Sequence, residues 1–387
     1  MSAVAEGVSI IEGALPADVR RRAWCVLALA LAPRLALAAW IIADRGGIDA
    51  LVDTQDGQSN LQIAASFPWV YRGTDQLMHF PGYPFAIWLA SALVPPGWAA
   101  VAISIVTSSL AVACTYLIGY RLGLGEAAWR GAVLFCVLPV RWLDVSLVAM
   151  SEGLTIAALC SYVYAVVCAR PGWAALAFAV ATLCRFGSVF VVPFGLVFLL
   201  HRDGRRFAHA CVAAASGAGA VLALCTYFHF AFGNFFLYFE THGRLWGGSH
   251  LDWPGRAWIA GLSDPTLAGI RKVYVGALLV FYFGVAGLAL KDARRSAALR
   301  VLGAWFALAF VPLAILNGAS INWGFIAFPR WVLPATPPTM LMLGYVVPQR
   351  WFKPVAIAAV LVAVAYVVWA ARTPHSYYEL DPGPGSD

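Results

Sequence analysis

Apolar residues fill the chain in long runs, cut by Gly, Pro or short charged turns. The runs lie near 24–43, 99–119, 127–143, 152–168, 172–184, 187–200, 208–231, 273–290, 299–316, 331–348 and 354–371. A run of roughly 20 apolar residues crosses the hydrocarbon core of a bilayer as one α-helix, so the pattern predicts an all-α integral membrane bundle with about eleven crossings. The stretch 82–96 is also apolar but short, and it ends in Pro95-Pro96-Gly97. It reads as an interfacial or re-entrant helix rather than a crossing.

Composition agrees with the pattern. Of 387 residues, 61% are apolar and 12% charged, and the mean hydropathy is +0.77; a soluble domain carries roughly a quarter charged residues. The net charge of +7 does not mark a nucleic-acid binder, because the basic residues stand in short clusters between apolar runs, as orientation signals do. Eight cysteines are scattered singly, most in apolar stretches (Cys114, Cys136, Cys160, Cys184, Cys225), with no CxxC spacing. They read as small core residues, neither a disulfide frame nor a zinc site. Arg20-Arg21-Arg22 precedes the first run like the start of a signal peptide, but the run is long enough to span.

Charge orients the chain. With the N-terminus cytoplasmic, Arg20 to Arg22, Arg121 with Arg130, Arg170, His201 to Arg206, Lys291 to Arg295, and Arg350 with Lys353 all fall on the cytoplasmic side. Counting 82–96 as a crossing would invert every later loop. The opposite side then holds the first outer loop 44–80, the turn 141–151, the loop 232–272 and the turn 317–330, with most of the acids and Arg141, Arg185, Arg244, Arg256, Arg330, His79 and His242. No repeat of fixed period occurs, and loops of about 40 residues or less are too short to fold alone. The expected organisation is one polytopic membrane domain over 1–387: a motif-bearing half 1–200, further helices over 201–371, and a polar Pro/Gly-rich tail 372–387.

Three segments on that opposite side stand in order: Gln55-Asp56-Gly57-Gln58-Ser59-Asn60-Leu61-Gln62-Ile63-Ala64, His79-Phe80-Pro81-Gly82-Tyr83-Pro84, and Met150-Ser151-Glu152. Their order and spacing resemble the GT-C class of polyprenyl-phosphate-sugar-dependent glycosyltransferases. Within it they resemble the GPI mannosyltransferase II (PIG-V-like) family and its bacterial relatives, which read approximately Trp-Asp-x-x-x-Tyr-Leu-x-Ile-Ala, Phe-Pro-Leu-Tyr-Pro and Tyr-Ser-Glu. Here Gln55, Asn60, Gly82 and Met150 replace the Trp, the first Tyr, the Leu and the last Tyr. Cys184-Arg185-Phe186-Gly187 and Pro329-Arg330-Trp331 are weaker echoes of an Arg-rich outer turn and a late Arg-Tyr pair. The resemblance implies a GT-C bundle in a bacterial plasma membrane. It would be an inverting transferase that moves mannose or another monosaccharide from a polyprenyl phosphate to a glycan, lipid or protein hydroxyl.

Such chemistry needs a base for the acceptor's proton and positive charge where the phosphate departs. Asp56 is the first choice for the base, against the plain reading of a solvated loop carboxylate. Asp53 shares its face if the segment is helical, and either orients Asp56 or is merely solvated. Glu152 either caps its helix with Ser151 or faces the same cavity and holds sugar hydroxyls. Arg185, Arg330, Arg244 and His242 are the candidate phosphate partners, with Arg preferred for its planar fork. Arg34 sits near mid-span, where a charge costs about 2.5 kcal/mol or more; it meets a lipid phosphate or a carbonyl or acid of the bundle. His79 reads as a hydrogen-bonded structural residue or a site residue, and Tyr83 and Trp88 as interfacial rings that could stack on a sugar. Arg141 and Asp144 read first as a local ion pair. The aromatic loop from Phe232 to Lys272 reads as a belt or as a flap over the lipid. The acids leave room for a Mg or Mn ion, but no ligand set can be read off. A transporter or flippase of a lipid-linked sugar is the alternative function, and a non-catalytic scaffold subunit the third.

Overall fold

The computed structural model describes residues 10–53, 55–66, 79–245, 250–251, 255–265, 269–317 and 328–372. It opens with α1 (Ala17–Arg45), the short α2 (Asp49–Val52) and α3 (Gln55–Ala65), then α4 (Gly82–Ala90) and α5 (Pro96–Arg121). Next come α6 (Glu126–Phe135), α7 (Val140–Val145), α8 (Glu152–Val167), α9 (Pro171–Cys184), a 3-10 segment (Phe186–Gly195) and α10 (Leu196–Leu200). The remainder is α11 (Gly204–Phe232), α12 (Leu237–Leu245), α13 (Arg256–Ser263), α14 (Gly269–Leu290), α15 (Ala297–Ile315), α16 (Phe328–Trp331), α17 (Thr336–Val346) and α18 (Gln349–Arg372). Two residue pairs, His250–Leu251 and Leu316–Asn317, form the small antiparallel ladder β1–β2.

Proline decides where the apolar runs break. The run expected over 127–143 is two helices, because Pro139 has no N–H for the ladder and stands as the N-cap of α7. The run over 187–200 winds as a 3-10 segment through Pro193 before α10, and the run over 331–348 is divided among α16, a 3-10 turn containing Pro334, and α17. The segment 82–96 carries the nine-residue α4, too short to cross. By length and composition, four described helices suffice to cross a membrane: Ala17–Arg45, Pro96–Arg121, Gly204–Phe232 and Lys272–Leu290. Helix lengths therefore do not by themselves give the eleven crossings expected from the runs.

Helix α8 is the hub, packed against α5 and α9, while α11 lies on α9 and α17 on α6. Small residues let these backbones approach. A Cβ at Gly344 of α17 would collide with the Ala127 carbonyl and the Gly131 backbone of α6, and one at Gly217 of α11 would strike the Phe178 ring of α9.

Two charge clusters mark the ends of α8. Arg206 donates to the Val167 carbonyl at 2.8 Å and pairs with Asp203 at 2.5 Å and Glu12 at 2.7 Å. Arg121 donates to the carbonyls of Ile11 at 2.6 Å and Gly13 at 2.8 Å, so residues 11–13 are held across that end. Glu152 starts α8 at the other end, 15 residues earlier, about 22 Å away at the helical rise per residue.

Arg34 is fully buried. It donates from Nε to the Ser108 hydroxyl at 3.1 Å and from Nη1 to the carbonyls of Ala30 at 2.7 Å and Cys136 at 3.2 Å. Its guanidinium also lies 5.9 Å from the Trp142 ring centre. Of the two roles considered, the carbonyl partner is the one it has, so the lipid-phosphate role is withdrawn.

Gly344→Ala should destabilise the protein by about 1–3 kcal/mol through overpacking, because backbone on both sides of the contact has nowhere to go. A lowered unfolding temperature in detergent micelles is the check.

Candidate active site

Four charged side chains from distant parts of the chain meet at the N-terminus of α8. Arg330, from α16, donates from Nη2 to Asp56 Oδ2 and from Nε to Glu152 Oε1. Arg185, the residue after α9, donates from Nη1 to the same Glu152 oxygen at 2.5 Å. His79 Nε2 stands 4.0 Å from Asp56 Oδ1. Two carboxylates and two guanidiniums sum to zero charge. Burial differs sharply within the group: the Glu152 side chain is 3% exposed, Asp56 24% and Arg185 28%.

Local sequence explains each placement. Glu152 is carried to the centre because Gly153 lets α8 sit against α5; a Cβ there would lie 2.9 Å from the Ser104 carbonyl. The same Ser104 donates its hydroxyl proton to the Met150 carbonyl at 3.1 Å and stands 2.9 Å from the Tyr83 hydroxyl, which donates to the Ala100 carbonyl at 2.9 Å. Thus α4, α5 and the turn before α8 are pinned together. Gly82 brings the start of α4 onto the end of α9, where a Cβ would lie 2.8 Å from Cys184 Sγ and from the Leu183 backbone. That contact brings His79, three residues before Gly82, and Arg185, the residue after Cys184, to the cluster. Phe328, two residues before Arg330, packs edge-on against Trp258 of α13 with ring centres 5.4 Å apart.

Of the residues singled out from sequence, Asp56, Glu152, Arg185, Arg330 and His79 are brought together, and others are not. Asp53 is exposed and lies before α3 in the turn after α2, so it shares no helical face with Asp56; its carboxylate accepts from Gln58 at 3.4 Å. Tyr83 is fully buried with its hydroxyl engaged as above, so it is a strut between helices and no sugar platform. Trp88 is exposed and stacks on Phe85. Ser151 makes no side-chain cap bond, so capping is not what places Glu152. Arg141 and Asp144 form the local pair expected, at 2.6 Å. In the aromatic loop, Phe236 is exposed while Tyr238 packs against Phe80 at 4.6 Å. The side chains of His242 and Arg244, together with Trp246 and Trp253, lie outside the described residues. Ser104 and Gly153 were not singled out from the sequence, and Trp258 only as one ring of the aromatic loop.

Electrostatics follow from the contacts. Burial would raise the Asp56 carboxyl, but the Arg330 guanidinium, with His79 and Arg185 beyond it, holds it well below the usual carboxylate range. Burial likewise lowers His79 from its ordinary value, against the pull of Asp56. No group of three or more His, Cys, Asp or Glu side chains gathers as a metal site among the described residues. Asp56 and Glu152 face guanidiniums, which is not a cation-ligating arrangement.

No protein-family model matches the sequence, and no curated protein matches it at significance. Solved structures do resemble it in shape. ArnT from Cupriavidus metallidurans bound to undecaprenyl phosphate superposes with a TM-score of 0.60 at 15% identity, over 89% of this chain and 64% of ArnT. The apo state of ArnT gives 0.52 at 17% identity, over 85% and 64%. The archaeal oligosaccharyltransferase AglB from Archaeoglobus fulgidus, in complex with an inhibitory peptide and a dolichol-phosphate, gives 0.46 at 13% identity, over 92% and 55%. The molecule is thus an all-helical membrane protein, and its bundle has the fold of GT-C membrane glycosyltransferases. It spans about two thirds of the length of ArnT.

The Asp56–Arg330 pair stabilises the fold when Asp56 is ionised. Because its folded-state value is depressed, this contribution is complete above pH ~4 and fades as pH falls through the lower folded value. The gap in unfolding temperature between wild type and Asp56→Asn should therefore be widest near neutrality and close on acidification. Unfolding followed against pH in micelles tests this.

Proposed function

We propose that the protein is an inverting glycosyltransferase that moves a monosaccharide from a polyprenyl phosphate to an acceptor hydroxyl at the extracytoplasmic face of a plasma membrane. The observation that carries this reading is the meeting of Asp56 and Glu152 with Arg185 and Arg330 at one end of α8. The GT-C fold supports it. Arg121 and Arg206, from two of the basic clusters of the sequence, stand at the opposite end of α8, which supports an outward-facing site under the positive-inside rule.

In one displacement the acceptor oxygen forms its bond to the anomeric carbon as its proton passes to Asp56. The bond from that carbon to the phosphate oxygen breaks on the opposite side, and its electron pair stays on the departing phosphate. Attack opposite the leaving group inverts the anomeric centre. The phosphate leaves with one more negative charge than it brought, and guanidiniums already in place stabilise that charge without reorganising solvent. Glu152 holds the two arginines in register, and its Oε2, buried and without a hydrogen-bond partner among the described residues, is an acceptor for a sugar hydroxyl. The sugar, mannose or another monosaccharide, and the acceptor, a glycan, lipid or protein, follow from the family resemblance alone.

Transport of intact lipid-linked sugar is the weaker reading. Paired charges near mid-span would favour it, but Arg34, a charge near the middle of the first span, bonds to helix carbonyls and Ser108. Purified protein given a radiolabelled polyprenyl-phosphate sugar and an acceptor pool should transfer label, and Asp56→Asn should reduce the rate by about 10²–10⁴-fold, the usual loss of a general base. Equal transfer by both proteins would remove Asp56 from this role. Movement of uncleaved label between leaflets would replace the transferase with a transporter.

A further inference from the structure

We propose that Arg330 is a latch as well as a phosphate clamp: it restrains Asp56 until a lipid phosphate takes its guanidinium and sets the carboxylate free. The proposal rests on the transferase reading and adds the order of events at that site.

The geometry begins with the edge of Arg330 that is occupied. Nε and Nη2 form one of the two edges by which the planar guanidinium can grip an oxyanion through two parallel bonds. Here that edge is shared between two carboxylates, Nε serving Glu152 and Nη2 serving Asp56. A phosphate that takes the edge in two-point fashion must displace a carboxylate oxygen.

Which carboxylate yields is decided by its surroundings. Glu152 is almost wholly buried and its Oε1 also accepts from Arg185, so removing Arg330 leaves it paired. Asp56 is 24% exposed, on an outer helix, with its guanidinium bond coming from Arg330. Water can take over its hydration when it leaves. The labile bond is therefore the one to the residue whose task is to accept a proton.

The displacement also runs in the useful direction. A carboxylate bonded to a guanidinium is a poor proton acceptor, and the same carboxylate beside a new anion is a better one. A donor phosphodiester enters with a single charge and gains a second as the sugar leaves, so its hold on Arg330 strengthens toward the transition state, where added binding accelerates the reaction. Base activation and leaving-group stabilisation are then one motion of one side chain. In the absence of lipid phosphate, no active base faces water.

The test requires no turnover. Wild-type protein in micelles is treated with a carbodiimide at about pH 6, where an unpaired carboxyl reacts and an ion-paired one is protected. Modification at Asp56 is read by peptide mass spectrometry, and lipid binding is measured in parallel by native mass spectrometry. Undecaprenyl phosphate should raise labelling of Asp56 several-fold and leave Glu152 unlabelled, while undecaprenol, which lacks the phosphate, should leave both unchanged. Inorganic phosphate at high concentration separates the sources: a rise with it assigns release to the phosphate group itself, and a rise confined to the lipid assigns it to the lipid headgroup. Arg330→Gln, which removes the cation that pairs with Asp56, should label at Asp56 without lipid. Bound undecaprenyl phosphate with unchanged Asp56 labelling, or Arg330→Gln labelling like wild type, overturns the latch and leaves the transferase reading standing. Failure of wild type to bind the lipid overturns both.

Discussion

One guanidinium closes the site. Arg330 reaches across 274 positions of sequence to Asp56 and 178 positions to Glu152, and without it two acids would lie together at the buried N-terminus of α8. Like charges so placed repel, and Arg185 alone would stand against both. The pairing with Arg330 and Arg185 makes the cluster neutral and thereby compatible with the apolar bundle around it. The neutrality is achieved with groups that also suit an anionic ligand, because a planar fork that satisfies carboxylates satisfies phosphate equally well.

The bundle meets this requirement through close contacts at small residues and hydroxyls. Gly153 and Ser104 seat the start of α8 on α5, Tyr83 ties α4 to the same place, and Gly82 presses α4 against the end of α9. Each adjusts the position of a charged side chain although none bears charge itself. The second charged assembly, at the far end of α8, does different work: Arg121 and Arg206 hold residues 11–13 through carbonyls and Glu12. One end of the bundle is therefore bound to its own chain, while the other presents neutralised pairs of acid and base.

Much of this was legible in the sequence, and for physical reasons. Placing charge clusters by the positive-inside rule put Asp56, His79, Glu152, Arg185 and Arg330 on one side of the expected bundle, and the structure brings these five together. The helical character was legible because apolar runs of spanning length permit little else. The helix breaks at Pro139, Pro193 and Pro334 were less so, since long apolar runs hide an internal proline that helices in lipid often tolerate. Arg34 and Tyr83 each stood open between two roles because a single chain reveals depth but not direction. Arg34 turns to Ser108 and two carbonyls, and Tyr83 inward to Ser104. Nor does composition disclose Gly153 or Ser104, whose importance lies in what stands opposite them.

The residues of the cluster enter the chain at widely separated times. Asp56, Glu152 and Arg185 belong to its first half, and Arg330 arrives with α16, only about forty residues before the last described position, Arg372. During synthesis the early helices must therefore wait in the bilayer with their acids satisfied by Arg185 and solvent alone. The site is assembled only when α16 joins the earlier helices, so a ribosome that stalls short of it leaves Asp56 and Glu152 in the membrane without the guanidinium that joins them.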